Sequence, residues 1–213
     1  DVTFAAGTDI ITASAGNSNV RIGTNAGSAI ASGGDNNTAI GEEALEANTT
    51  GINNTAVGKQ ALTTQTTAAR NTAVGNVAGA AVTTGSNNTF MGDNAGNDLT
   101  TGNRNVIIGQ AAGDSATTTD DSVLIGFGAG GGAIMTGHDN TAMGTNALNA
   151  TTSGTQNVAI GRNALLSNTT ASNSTAVGFE ALENSTTASS NTAVGYKSGY
   201  DITTGINNTL VGY

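Results

Sequence analysis

The residue types that ordinarily carry chemistry are few in this chain, and their spacing argues against a reaction. His138 is the single histidine and stands beside Asp139; with a neighbouring hydroxyl it would resemble a hydrolytic triad. No nucleophile-elbow sequence accompanies it. The run Gly126-Phe127-Gly128-Ala129-Gly130-Gly131-Gly132 has the glycine content to wrap a phosphate, but lacks the Lys-Ser/Thr pair that would hold phosphate and metal. Glu42-Glu43 and Asp120-Asp121 are carboxylate pairs of the kind used in general acid and base catalysis. Both fall at variable polar positions and read as solvated surface. Calcium-binding Gly-Gly-x-Gly-x-Asp nonapeptides are absent, and without cysteine there is neither a thiolate metal site nor a disulfide framework. The expectation is a protein that is not an enzyme, with no catalytic residue, no metal and no cofactor.

Recognition chemistry is more visible. Phe179, Tyr196 and Tyr213 follow one another at a constant 17-residue interval, with Tyr200 close by. If equal intervals mean equal positions in a repeated unit, these rings form a file. They would either stack to stiffen that region or present flat, low-entropy faces to sugar rings, which makes Phe179, Tyr196, Tyr200 and Tyr213 the ligand or receptor candidates.

The 17-residue interval governs nearly the whole chain. Asn-Thr-Ala-Val-Gly or a close variant ends on Gly23, Gly41, Gly58, Gly75, Gly92, Gly109, Gly126, Gly144, Gly161, Gly178, Gly195 and Gly212. Two intervals, Gly23 to Gly41 and Gly126 to Gly144, are longer by a single residue. A unit this short cannot bury an apolar face alone, so each copy must lie on the next. Three residues before the glycine every copy is β-branched (Thr38 and Val106, for example), and one residue before it every copy is aliphatic or Met, as in Ile40 and Val194. Columns two apart share one face of a strand. That face is expected to point inward, so that Val57 or Ile160 could not be replaced by Asp. The column between is mostly Ala, with Phe90, Ile107, Leu124 and Leu210 interspersed. Its apolar character on the opposite face predicts cover by another copy, making Phe90, Ile107, Leu124 and Leu210 the subunit-interface candidates.

The rest of the unit reads as a short second strand at the Ala-Leu or Ala-Gly pair after the glycine, and a corner at Thr-Thr. Glycine density and β-branched columns exclude helix. The Asn that opens ten of the twelve motifs predicts an amide ladder from copy to copy. Asn48, Asn149 and Asn168 open Asn-x-Thr sequons that the repeat itself generates. Aromatic residues at 3% imply a thin core, and a net charge of −9 with six basic residues makes nucleic acid an unexpected partner. No apolar run approaches the roughly 20 residues that cross a bilayer, so membrane insertion is not expected.

The recurring Asn-Thr-Ala-Val-Gly, with Asn157-Val158-Ala159-Ile160-Gly161, resembles the repeats of trimeric autotransporter adhesin heads and, more closely, the NTAVG repeats of bacteriophage tail fibres. The resemblance covers residues 19 to 213, although the 17-residue unit is longer than the autotransporter one. It implies a left-handed parallel β-roll, three chains side by side and attachment to a cell surface. The expected architecture is thus all-β: a parallel β-solenoid of about twelve 17-residue rungs in a side-by-side homotrimer, with residues 1–18 a diverged N-terminal rung or cap. The expected function is a structural fibre segment of a phage tail fibre or bacterial surface adhesin. It would be extracellular, at a cell surface or on a virion, giving reach and attachment, with a cell-surface glycan as candidate ligand. The C-terminal rung is expected to be covered by a following domain or by the next subunit of a head-to-tail filament. The rival reading is an ice-binding solenoid, suggested by the threonine columns. Adjacent threonine doublets, whose side chains diverge, and a threonine column expected to face inward speak against it.

Overall fold

In a computed structural model, which describes residues 15–213, the chain winds into a stack in which each repeat contributes one three-residue strand. Twelve strands, from β1 (Val20–Ile22) to β12 (Thr209–Val211), pair in parallel and in sequence order into one sheet. The register is that of the repeat: Thr55 lies beside Thr72, Ala56 beside Ala73 and Val57 beside Val74. Described residues of the expected cap already belong to the stack, since the Asn17 carbonyl accepts the Asn36 N–H at 2.9 Å. The remainder of that expectation, residues 1–14, lies outside the described residues.

The sheet faces the opposite way to the sequence expectation. The middle column of each strand points inward: Ala39, Ala56, Ala73, Ala142, Ala159, Ala176 and Ala193 are fully buried. Phe90, Ile107 and Leu124 are fully buried with them, and Leu210 packs against the same core. Phe90, Ile107 and Leu124 are core residues of a single chain and are not available to a subunit interface, whereas Leu210, on the last strand, is only partly buried. The flanking β-branched and aliphatic columns point outward, so that Ile160 is 38% exposed and Met91 46%. Available volume, not hydrophobicity, decides the direction. So short a rung leaves room inside the strand for a methyl group, or for a larger side chain only where the facing position gives way.

That facing position lies four residues after the motif glycine. Where it is leucine (Leu45, Leu62, Leu148, Leu165 and Leu182, all fully buried), the inward strand residue of the same rung is Ala. Phe90, Ile107 and Leu124 instead face glycine: a Cβ on Gly96 would lie 2.5 Å from the Phe90 ring, and one on Gly113 3.0 Å from Leu124. Three residues beyond this position the choice is coupled again. Leucine rungs place Asn48, Gln65, Thr151, Asn168 or Ser185 inside, whereas glycine rungs place Val82 or Leu99 there. Two solutions to one core volume therefore follow one another in blocks along the stack. Gly96→Ala is expected to lower stability by about 2 kcal/mol or more, because it combines overpacking with a backbone at φ 59 that suits glycine. Phe90→Ala in the same chain should recover part of the loss; thermal melts of both variants check this.

The expected second strand is absent. The segment after the motif glycine is a succession of turns in which residues two and four places on take positive φ, as in Gln60 (φ 56) and Leu62 (φ 51). Amides there alternate between their own rung and the next: the Ala61 N–H donates to the Gly58 carbonyl, and the Leu62 N–H to the Ala78 carbonyl of the following rung. The inward alanines of this segment, Ala44, Ala61 and Ala78 among them, are fully buried as expected. The motif glycines themselves have φ between 126 and 145, and each one followed by another rung lies against the next motif glycine's backbone.

The amide ladder is present. Oδ1 of Asn37 accepts the backbone N–H of Asn54 at 2.9 Å and its side-chain amide at 3.1 Å, while Nδ2 of Asn37 donates to the Gly51 carbonyl at 2.8 Å. The pattern repeats at Asn54, Asn71, Asn88 and Asn105. Where Ser122 replaces Asn, its hydroxyl takes over as acceptor for the Asn140 N–H, and Thr119 fills the vacated space with a 3.0 Å hydroxyl contact. A threonine file adds a second ladder, in which the hydroxyls of Thr49, Thr83 and Thr100 donate to the next rung's threonine carbonyl.

Candidate functional site

The outward face of the sheet runs across all twelve strands. Each strand presents two side chains to it, a β-branched Thr or Val and an aliphatic residue or Met, separated by the buried Ala column. At about 3.3 Å per residue the two columns run about 6.6 Å apart, and successive rungs follow at about 4.8 Å. No position in either column carries a charge. The side chains are short and mostly β-branched, so they hold one rotamer and lose little entropy on being covered. Such a face suits packing against another surface of short side chains.

Charges occupy the corners on either side. Arg104 forms a bidentate pair with Asp121 of the next rung, at 2.6 and 2.7 Å, which holds the Asp121 carboxyl below its ordinary range. Lys59 pairs with Glu42 at 3.1 Å and Lys197 with Glu180 at 3.0 Å, again between adjacent rungs. Partial burial, with Asp98 nearby, raises the Asp114 carboxyl, and burial with Glu180 nearby raises Glu183. Among the described residues no group of three or more His, Asp or Glu side chains is placed to hold a metal ion, and no helix is long and apolar enough to cross a membrane. The carboxylate pairs of the sequence are separated by function: Glu43 accepts from Gln60 at 2.7 Å, Asp121 from Arg104, and Asp120 from the Asn103 N–H.

The aromatic residues do form a file. Phe179 and Tyr196 stack with centroids 5.3 Å apart and planes 5° from parallel, and Tyr213 continues the stack at 5.3 Å and 21°. Arg162 covers the other side of Phe179 at 5.6 Å, while Lys197 lies 5.7 Å from the Tyr196 ring and 4.8 Å from that of Tyr200. The faces a sugar ring would use on Phe179 and Tyr196 are thus occupied by neighbours, and ring edges are what solvent meets. This geometry stiffens the last four rungs through stacking and cation–π contacts. Of the sequons, Asn48 and Asn168 are fully buried with their amides bound to the Gly51 and Ala171 carbonyls, and the Asn149 amide donates to Gly128.

Sequence reasoning missed the outward sheet face because it weighed side-chain hydrophobicity and not volume. The signal was available in the coupling of Phe90, Ile107 and Leu124 to glycines four residues after the motif glycine. No family of proteins, no curated protein and no solved structure matches this chain.

Proposed function

We propose that the protein is a structural fibre segment whose copies associate side by side through the outward sheet face. The observation that supports it is the continuous strip of β-branched, aliphatic and Met side chains, free of charge over all twelve rungs, flanked by charged corners. A strip of this length left in water is a self-association surface in a chain whose own core is already closed. Three copies, as the resemblance to tail-fibre and adhesin repeats implies, form a rod about 57 Å long from twelve rungs at about 4.8 Å. The rod gives reach to an extracellular appendage of a virion or a cell. Its ladders of amide, threonine and stacked ring resist bending, and attachment to a surface glycan falls to groups outside the covered strip. Replacing Val57 and Ile160 together by Lys is the test. The variant should keep the far-ultraviolet spectrum of the parent and sediment as a monomer; unchanged association would remove the sheet face from the interface.

A second reading is favoured by one finding, that the threonine column faces outward. Thr38, Thr55, Thr72 and Thr89 stand in register with a file of aliphatic residues and Met91, on a lattice of about 4.8 by 6.6 Å. A face of that kind can order water or adsorb to ice if it stays uncovered. The two readings exclude each other. Thermal hysteresis from a monomer supports ice binding, and an oligomer without hysteresis supports the fibre.

A further inference from the structure

At one corner of the solenoid, six residues before the motif glycine, a run of consecutive rungs carries side-chain acceptors that take the backbone N–H of the preceding rung. Ser86 accepts from Ala69 at 3.1 Å, Asn103 from Ser86 at 2.9 Å and Asp120 from Asn103 at 2.5 Å. The next position in this file is His138, whose Nδ1 accepts the Asp120 N–H at 2.9 Å. Hydroxyl and amide oxygens keep their lone pairs at any mild pH. An imidazole does not: protonation converts Nδ1 from acceptor to donor, and His is the side chain whose charge ordinarily changes between about pH 5 and 8.

The junction that this bond spans is also irregular. The rung between Gly126 and Gly144 carries an extra residue and the glycine run, and besides the regular pairing of Val123 with Thr141 it meets the preceding rung through an isolated bridge, Ala116 to Met135. The charged groups around His138 are Asp120, whose Oδ2 is 3.9 Å from Nδ1, with Asp121, Asp139 on its own rung, and Arg104. Arg104 is engaged by Asp121. A turned imidazolium therefore finds a carboxylate partner in Asp120, while the Asp120 N–H loses its acceptor.

We propose that His138 is a pH switch, closing this corner of the junction as the neutral imidazole and releasing it on protonation. Neutral imidazole and bound Asp120 N–H go together, so raising the pH closes the corner and acid opens it.

Amide hydrogen exchange of the intact protein, compared at about pH 8 and about pH 5.5 and divided by the intrinsic rate at each pH, tests this. The lower value stays above the range where ordinary carboxylates protonate. The Asp120 amide should exchange about tenfold faster relative to its intrinsic rate at the lower pH, with the Asn105 amide unchanged. His138→Gln, which offers an oxygen to the same N–H, should keep Asp120 slow at both pH values; His138→Ala should make it fast at both. Equal protection of Asp120 at the two pH values in the parent protein, the same acceleration in His138→Gln, or acceleration shared by all the ladder amides would each overturn the proposal.

Discussion

An aspartate in place of Ala159 will leave the protein unfolded, whereas the same substitution one residue on, at Ile160, will leave the rungs intact. Ala159 is fully buried between the inward residues of the neighbouring strands, Ala142 and Ala176, where a new carboxylate meets no cation of its own strand or theirs. An unpaired buried charge costs several kcal/mol, comparable to the whole stability of an ordinary domain at about 5–15 kcal/mol. Ile160 is 38% exposed, and a carboxylate there reaches water without disturbing the core. Far-ultraviolet circular dichroism with thermal melting separates the two. Equal loss of structure in both variants would mean that the two faces of the strand have been assigned wrongly.

Asn105→Leu is expected to be the most damaging single change among residues that carry no charge and leave the backbone conformation alone. Oδ1 of Asn105 accepts the Ser122 N–H at 3.0 Å, and its Nδ2 donates to the Thr119 carbonyl at 2.7 Å and to Asn88 Oδ1 at 3.1 Å. Leucine matches the shape and leaves a buried donor and a buried acceptor unpaired, each costing about 1–3 kcal/mol. A total of about 3 kcal/mol corresponds to a fall in Tm of about 6–12 °C for a chain of this size. Gln110→Ala, at an exposed position with no side-chain bond to lose, should change stability by less than about 0.5 kcal/mol. Indistinguishable melting curves for the two variants would show that the ladder contributes nothing to stability.

The stack, its parallel sheet and its amide ladder were legible because they rest on chemistry that must recur at a fixed interval. A glycine whose Cβ would strike the next motif glycine's backbone, and an Asn that serves both its own and the next rung, leave an identical mark in every copy. The direction of the strand was not legible from hydrophobicity, because alanine and isoleucine are both apolar and the thin interior selects by volume. Ala56 goes in and Val57 out for that reason. The turn that replaces the expected second strand was hidden as well. Its positive-φ positions hold Gln60, Leu62 and Glu43 in some rungs and Asn94 and Gly96 in others, so no single residue type marks them, and neighbouring rungs impose the conformation through hydrogen bonds on both sides. For the aromatic file the interval predicted the stacking of Phe179, Tyr196 and Tyr213 correctly; what it could not reveal was that neighbours cover both faces of Phe179 and Tyr196, while Tyr213 stacks on one side only.

The mass of the untagged protein in solution, by light scattering at micromolar concentration, tests the central claim most directly. The fibre account predicts a particle of three times the 20.7 kDa of one chain, stable on dilution across the micromolar range. It also predicts that this particle is lost when Val57 and Ile160 are replaced by Lys. A particle of 20.7 kDa at the same concentration, with the sheet face open to solvent, would contradict it.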